Sequence, residues 1–212
     1  QPSPVIMPVS SFTAPDQGQT MRRTLSALLI PAALALPHMT QAGELTDLAA
    51  QVESLLAAGD DTGAIAAARD LIDKTWASTN GLSFRSTELV QEPVPFYGAY
   101  NPRTNNAIKI NEPIYIYAEP EGYGFGSPGE GLYSIGFFVD LKVVNASGET
   151  VGEVPNITEL DLTSRHSYHE FHGNLTYTLN GIPPGSYVLQ TTLRDKNSAR
   201  IGSFDTLIEL VE

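Results

Sequence analysis

The sequence contains no cysteine. That excludes disulfide bonds, a Cys-x-x-Cys redox pair, thiolate zinc sites and a lipid-bearing N-terminal cysteine. Basic residues are also scarce: 12 Lys and Arg stand against 24 Asp and Glu, a formal charge of −12. A nucleic-acid groove or a polybasic membrane patch needs excess cations facing phosphate, so no nucleic-acid partner is expected. No apolar run reaches the roughly 20 residues with which a helix crosses a bilayer. There is no Gly-x-Ser-x-Gly elbow either, so nucleophilic catalysis has no visible centre and the chain does not read as an enzyme.

What is present begins with an address. Arg22 and Arg23 precede an apolar run from Leu25 to Leu36, and a short polar stretch ends at Thr40, Gln41 and Ala42. This is the order of a secretory signal peptide cut before Gly43. Pro31 inside the run argues against a buried helix. We therefore read 21–42, starting at Met21, as a signal peptide and the Pro/Ser-rich 1–20 as a disordered upstream extension. Losing Asp16, Arg22 and Arg23 with these segments leaves 43–212 at −13. The short Arg-Arg, Ala/Leu-rich leader looks bacterial. The expected product is periplasmic or secreted, with no transmembrane segment after cleavage.

Residues 43–80 carry helical periodicity. Leu45, Leu48, Val52 and Leu55 recur at steps of three and four, as do Ile65, Ala68, Leu71 and Ile72 with Trp76. Gly59-Asp60-Asp61-Thr62 between them stops one helix and caps the next, which predicts an α-helical hairpin. Its turn resembles one tetratricopeptide unit. No second copy follows, so a solenoid is excluded and the hairpin should pack on the body or on a partner.

From Leu82 the period becomes two. Ile114 and Ile116 alternate with Tyr115 and Tyr117, and Ile135, Phe137, Val139, Leu141 and Val143 alternate with smaller or polar residues. Further strands are expected at 149–154, 157–163, 174–180, 186–194 and 201–211, with turns at Asn145–Gly148 and Asp195–Arg200. Seven or eight strands with no helix between them predict a mainly β chain. The expected fold is an antiparallel β-sandwich over 81–212 preceded by the short hairpin.

The segment Gly181-Ile-Pro-Pro-Gly185-Ser-Tyr187-Val-Leu189, continuing to Leu193 and Asp195, resembles an edge common in bacterial exported immunoglobulin-like and fibronectin-III-like domains. Phe96-Tyr97-Gly98-Ala99-Tyr100-Asn101-Pro102 and the later EPIYIYAEPEGYGF are similar to the opening strands of uncharacterised exported β-sandwich proteins. The resemblance spans roughly the last 130 residues and implies an immunoglobulin-like sandwich. It implies that Tyr187 sits at a sheet corner with its hydroxyl on the backbone, and it brings no catalytic residues.

Three patterns could carry chemistry. Gly124-Phe-Gly126-Ser-Pro-Gly129 spells Gly-x-Gly-x-x-Gly, but a dinucleotide site needs a helix after it, and here Pro128 and a strand pattern follow. We read it as a β-connection. His166, His169 and His172 fall within seven residues, a candidate site for a divalent transition metal. On a strand, spacings of three alternate faces and the ends lie about 20 Å apart, so chelation requires a turn or helix there. Tyr115 and Tyr117 share one strand face, and if it points outward the two phenols form a ligand-binding platform for sugar or peptide.

Acid pairs such as Asp60/Asp61, Glu119/Glu121 and Glu159/Asp161 read as solvated faces or turns. The sequons at Asn145, Asn156 and Asn174 would matter only in a glycosylating compartment. The expected function is therefore a non-enzymatic binding or structural module of the bacterial envelope, without a cofactor. Its partner would be another envelope protein or a polysaccharide. The alternatives are a periplasmic metal-binding protein using the His cluster and a carbohydrate-binding module using the Tyr face.

Overall fold

A computed structural model describes residues 40–212, with side chains from 43 onward. The expected signal peptide and upstream extension lie outside the described residues, apart from the start of the first helix. Two helices open the described chain: α1 (Thr40–Ala57) and α2 (Asp61–Ala77). Gly59, at φ +76°, makes the reversal between them, since a left-handed backbone is cheap only without a Cβ. Asp60 then caps α2, its Oδ1 accepting from the Gly63 amide at 2.9 Å.

Eight strands follow: β1 (Ser83–Val90), β2 (Ala107–Lys109), β3 (Ile114–Glu121), β4 (Tyr133–Asn145), β5 (Thr150–Ser164), β6 (Gly173–Tyr177), β7 (Gly185–Asp195) and β8 (Ile201–Val211). They form a three-stranded sheet in the order β1-β3-β6 and a five-stranded sheet in the order β2-β8-β7-β4-β5. The chain is mainly β with two helices ahead of the sheets, as its periodicity predicts. The expectation of a purely antiparallel arrangement needs correction. β2 runs parallel to β8, Ile108 opposite Leu210, so the larger sheet is mixed. Three residues between loops give almost no periodic signal, and their direction is set by where the chain re-enters the sheet. The two strands expected at 149–154 and 157–163 are one strand, β5, kinked at Asn156, which takes φ +50°.

Alternation explains the core. Ile114 and Ile116 of β3, Leu175 and Tyr177 of β6, the odd-numbered apolar residues of β4 from Ile135 to Val143, Leu189 and Leu193 of β7 and Ile208 and Leu210 of β8 belong to one buried cluster. Each strand points every second side chain to one face, and both sheets turn that face to a shared interior. Tyr177 is 1% exposed, and burial pushes its phenol up to about 12; its Oη lies 3.2 Å from Thr191 Oγ1. Tyr187 is buried too, and its hydroxyl donates to the Pro183 carbonyl at 2.9 Å, the corner geometry anticipated for this residue.

The helical hairpin joins the strands through the C-terminal end of α2. Trp76 Nε1 donates to the Tyr123 carbonyl at 2.8 Å, and its ring sits edge-on to Tyr123 at 5.0 Å. Arg200 spans the joint, donating to the Ala77 carbonyl at 2.8 Å and the Gly122 carbonyl at 2.6 Å. A guanidinium beside the last carbonyls of a helix complements its dipole. Gly122 holds φ +80° here, and a Cβ would stand 2.8 Å from Thr79 Oγ1 and 2.9 Å from the Gly81 carbonyl. Helices and strands accordingly belong to one compact unit. No described helix is long and apolar enough to cross a membrane.

Candidate functional site

The smaller sheet has a second layer on its other side, built from the residues expected to form an open platform. Tyr117 is 0% exposed, in a cluster with Val90 and Val94 that Tyr100 and half-buried Tyr115 pack against. The segment between β1 and β2 crosses this face. Tyr100 lies 4.5 Å from the Tyr117 ring, and the Gly98 amide donates to Tyr117 Oη at 2.7 Å. The two-phenol platform at Tyr115 and Tyr117 is therefore not formed. The reason is tertiary, since the covering segment arrives from elsewhere in the chain.

Tyr117 in turn donates to Glu119 Oε1 at 2.5 Å, and Glu119 is only 5% exposed. Arg85 Nε stands 3.8 Å from the other carboxylate oxygen, leaving that buried charge a cation as well as a phenol. Burial foremost, then the hydrogen bond and charge of Glu119, raise the Tyr117 phenol far above its ordinary value. The same two influences raise Tyr97. Both stay protonated donors across the physiological range.

Beside this layer runs a groove of about 410 Å³ along the side where β5 and β6 end their sheets. Pro95, Phe96 and Tyr97 form one wall, Asp161, Leu162 and Ser164 of β5 the other, and Tyr168, Glu170, Phe171 and His172 close the floor. Phe96 is 72% exposed and Tyr168 48%. The wall is held rigidly: the Val94 amide donates to Asn174 Oδ1 at 2.7 Å, and the Val94 carbonyl accepts from Asn174 Nδ2 at 2.8 Å. The segment linking β5 to β6 (165–172) forms no strand.

The three clustered histidines lie on that irregular segment, and each has its own surroundings. His166 is exposed. His169 packs between Trp76 at 4.6 Å and Phe125 at 5.4 Å. Its Nε2 is 3.1 Å from Asp73 Oδ1 of α2, at an angle that makes no hydrogen bond. His172 stacks on Tyr117 at 5.4 Å, its Nε2 3.2 Å from the Val94 carbonyl. Among the described residues no three His, Asp or Glu side chains are grouped to hold a metal ion. The joint metal site anticipated for His166, His169 and His172 is thus not assembled, because successive rings are drawn to the helix and to the covered sheet face.

The glycine-rich stretch behaves as a β-connection. Gly126 pairs with Ser134, and strand β4 follows directly. The glycines leave room for the β7–β8 loop, because a Cβ on Gly124 would stand 3.2 Å from the Asn197 backbone. Buried Asp195 ties the two loops, accepting from the Gly124 amide at 2.6 Å, the Asn197 amide at 2.9 Å and the Ser198 hydroxyl. Sequence reasoning placed Asp195 at the end of a strand and the start of a turn, without this role. Its only sequence signal is an acid at an inward position of an alternating strand.

No family model matches the chain, and no curated protein matches it. Among solved structures it is similar to CopC from Methylosinus trichosporium OB3b, with 11% identity, 59% of this chain and 93% of that chain covered, and a TM-score of 0.28. It is also similar to superoxide reductase (neelaredoxin) from Ignicoccus hospitalis, with 13% identity, coverages of 60% and 82%, and a TM-score of 0.29. A third similarity is to the alkylpurine DNA glycosylase AlkC of Pseudomonas fluorescens, bound to DNA with an abasic site analog. There identity is 14%, coverage 72% of this chain and 39% of that one, and the TM-score 0.32. Scores this low carry no inference about this chain.

Proposed function

We propose that this chain is an exported binding module of the bacterial envelope, periplasmic or secreted, and not an enzyme. In this reading it is an immunoglobulin-like sandwich that holds another envelope component, a protein or a polysaccharide, in the groove beside β5. The strand order supports the fold: β1, β3 and β6 take the places of A, B and E, while β4, β7 and β8 take those of C, F and G, with β5 as C′. Tyr187 falls near the start of the F equivalent, where a tyrosine corner belongs.

The observation that carries the binding reading is Phe96. Phe96, 72% exposed, and Tyr168, 48% exposed, line one groove beside a wall fixed by Asn174, and clustered exposed aromatic surface of this kind supports an interaction site. Aromatic rings flanked by carboxylates suit a ligand that presents both apolar and polar faces. The polar hollow on the outer face of the larger sheet, about 340 Å³ between Asp140, Glu153 and Asp205, offers no ring of this kind.

Two measurements test the reading. Bacterial expression of the full chain followed by fractionation should give a periplasmic or secreted product whose first residue is Gly43; an uncleaved cytosolic product would refute export. The purified protein should be retained on isolated cell-wall sacculi or on an envelope-protein fraction, with retention falling at least tenfold in Phe96→Ala. Retention indifferent to that substitution, or turnover of hydrolase substrates, would refute the binding reading.

A further inference from the structure

Each sheet ends beside the groove. β5 is the last strand of the larger sheet and β6 the last of the smaller, and the chain joining them forms no strand between. The side of β5 turned away from β4 therefore presents a row of N–H and C=O groups, and among the described residues no backbone group bonds to it. A strand edge of 15 residues is a hazard that proteins usually blunt along its length.

Here the backbone devices that blunt an edge sit at Pro155 and Asn156, before the second half of the strand. Pro155 has no N–H to offer, and Asn156 takes a left-handed backbone, its amide turned inward to Asp140 Oδ1 at 2.8 Å while its side chain accepts from Arg194. Beyond it, Ile157–Ser164 contains no Pro or Gly. From Thr158 to Ser164 the register against β4 runs unbroken, Thr158 opposite Val139 and Ser164 opposite Tyr133. This is the half that borders Phe96, Tyr97 and Tyr168. Eight residues at about 3.3 Å each give an edge of roughly 26 Å. Backbone devices of this kind are thus absent from the half that the aromatic groove borders, where Glu159 and Asp161 supply charge instead.

The charge of this edge selects among extended ligands. Glu159 and Asp161 share a single ammonium, that of Lys196, at 2.5 and 2.8 Å. Glu170, on the groove floor, makes no ion pair among the described residues. The surroundings are net negative in a chain of charge −12.

We infer that the groove binds an extended, basic peptide segment that adds as a strand to the Ile157–Ser164 edge of β5. Main-chain hydrogen bonds supply the affinity, alternate apolar side chains enter between Phe96 and Tyr168, and Lys or Arg side chains meet Glu170 and Asp161. The inference rests on the binding reading above and narrows its partner to a protein with an exposed cationic strand.

The test uses the full chain and three acetylated, amidated octapeptides: alternating Lys and Val, alternating Glu and Val, and the Lys-Val peptide N-methylated at every second residue. Binding is read by fluorescence anisotropy, and backbone protection by amide hydrogen exchange. The Lys-Val peptide should bind and slow exchange at least tenfold within Ile157–Ser164. N-methylation or exchange of Lys for Glu should weaken binding at least tenfold, and Phe96→Ala should do so while leaving exchange in the free protein unchanged. Equal binding of the N-methylated peptide, equal binding of the Glu peptide, or binding without protection in 157–164 would overturn the inference. So would no binding by any of the three. In each of these cases Phe96-dependent retention on envelope fractions still reports separately on the binding reading.

Discussion

Replacing Trp76 with Ala should release the helical hairpin without unfolding the strands. The indole makes one hydrogen bond, to the Tyr123 carbonyl, and edge-on contacts with Tyr123 and His169. A net hydrogen bond contributes about 1 kcal/mol. Two aromatic pairs add about 1 kcal/mol each. The loss is therefore about 3 kcal/mol, near a hundredfold in the equilibrium for opening the joint. The β core is closed by residues from both sheets, and Trp76 only packs against it from outside. Amide exchange followed by mass spectrometry is the assay. Segments of α1 and α2 should exchange about a hundredfold faster, while β4, β7 and β8 keep their protection. Trp76→Phe, which keeps a ring and loses the donor, should show a smaller effect. If strands and helices lost protection together, the hairpin would be part of the core, and the account of the joint would be wrong.

Three other outcomes are expected. Tyr187→Phe removes the hydroxyl donated to the Pro183 carbonyl and should lower stability by about 1 kcal/mol in urea unfolding, with an unchanged slope. Gly122→Ala places a methyl against Thr79 and the Gly81 carbonyl at a φ of +80°, and should cost about 1–3 kcal/mol, read as a lowered Tm. Asp140 is held below its ordinary 3.8 chiefly by its hydrogen bond from Arg194, then by the Asn156 amide. Because the folded value is the lower one, its contribution is complete above the unfolded value and fades as pH falls through the folded one. Asp140→Asn should therefore flatten part of the Tm decline below about pH 4. The change should stay under about 1 kcal/mol, because both partners are partly solvated.

How far the sequence could be read depended on how local each feature is. The alternation in 135–143, 186–194 and 201–211 predicts β4, β7 and β8 because each strand buries one face in the shared core. The Gly59-Asp60 stop and cap mark the hairpin for the same reason: both act within one turn. Tyr187 was legible through its resemblance. What escaped was set by distant segments. Tyr117 alternates like an outward residue, and the loop carrying Gly98 and Tyr100 covers it. The three histidines are close in sequence, but α2 takes one and the covered sheet face another. The groove joins Phe96 to β5 across more than sixty positions, a distance no local pattern spans.

The place of β8 has a consequence for how the molecule comes into being. It lies between β7 and β2, hydrogen-bonded to both, yet it is synthesised after either. A nascent chain that has not yet made Ile201–Val211 lacks the strand between β7 and β2, with β2 left unattached. Closing this sheet requires Ile201–Val211 to pair with β2 across about a hundred intervening residues, a non-local contact of the kind that forms slowly.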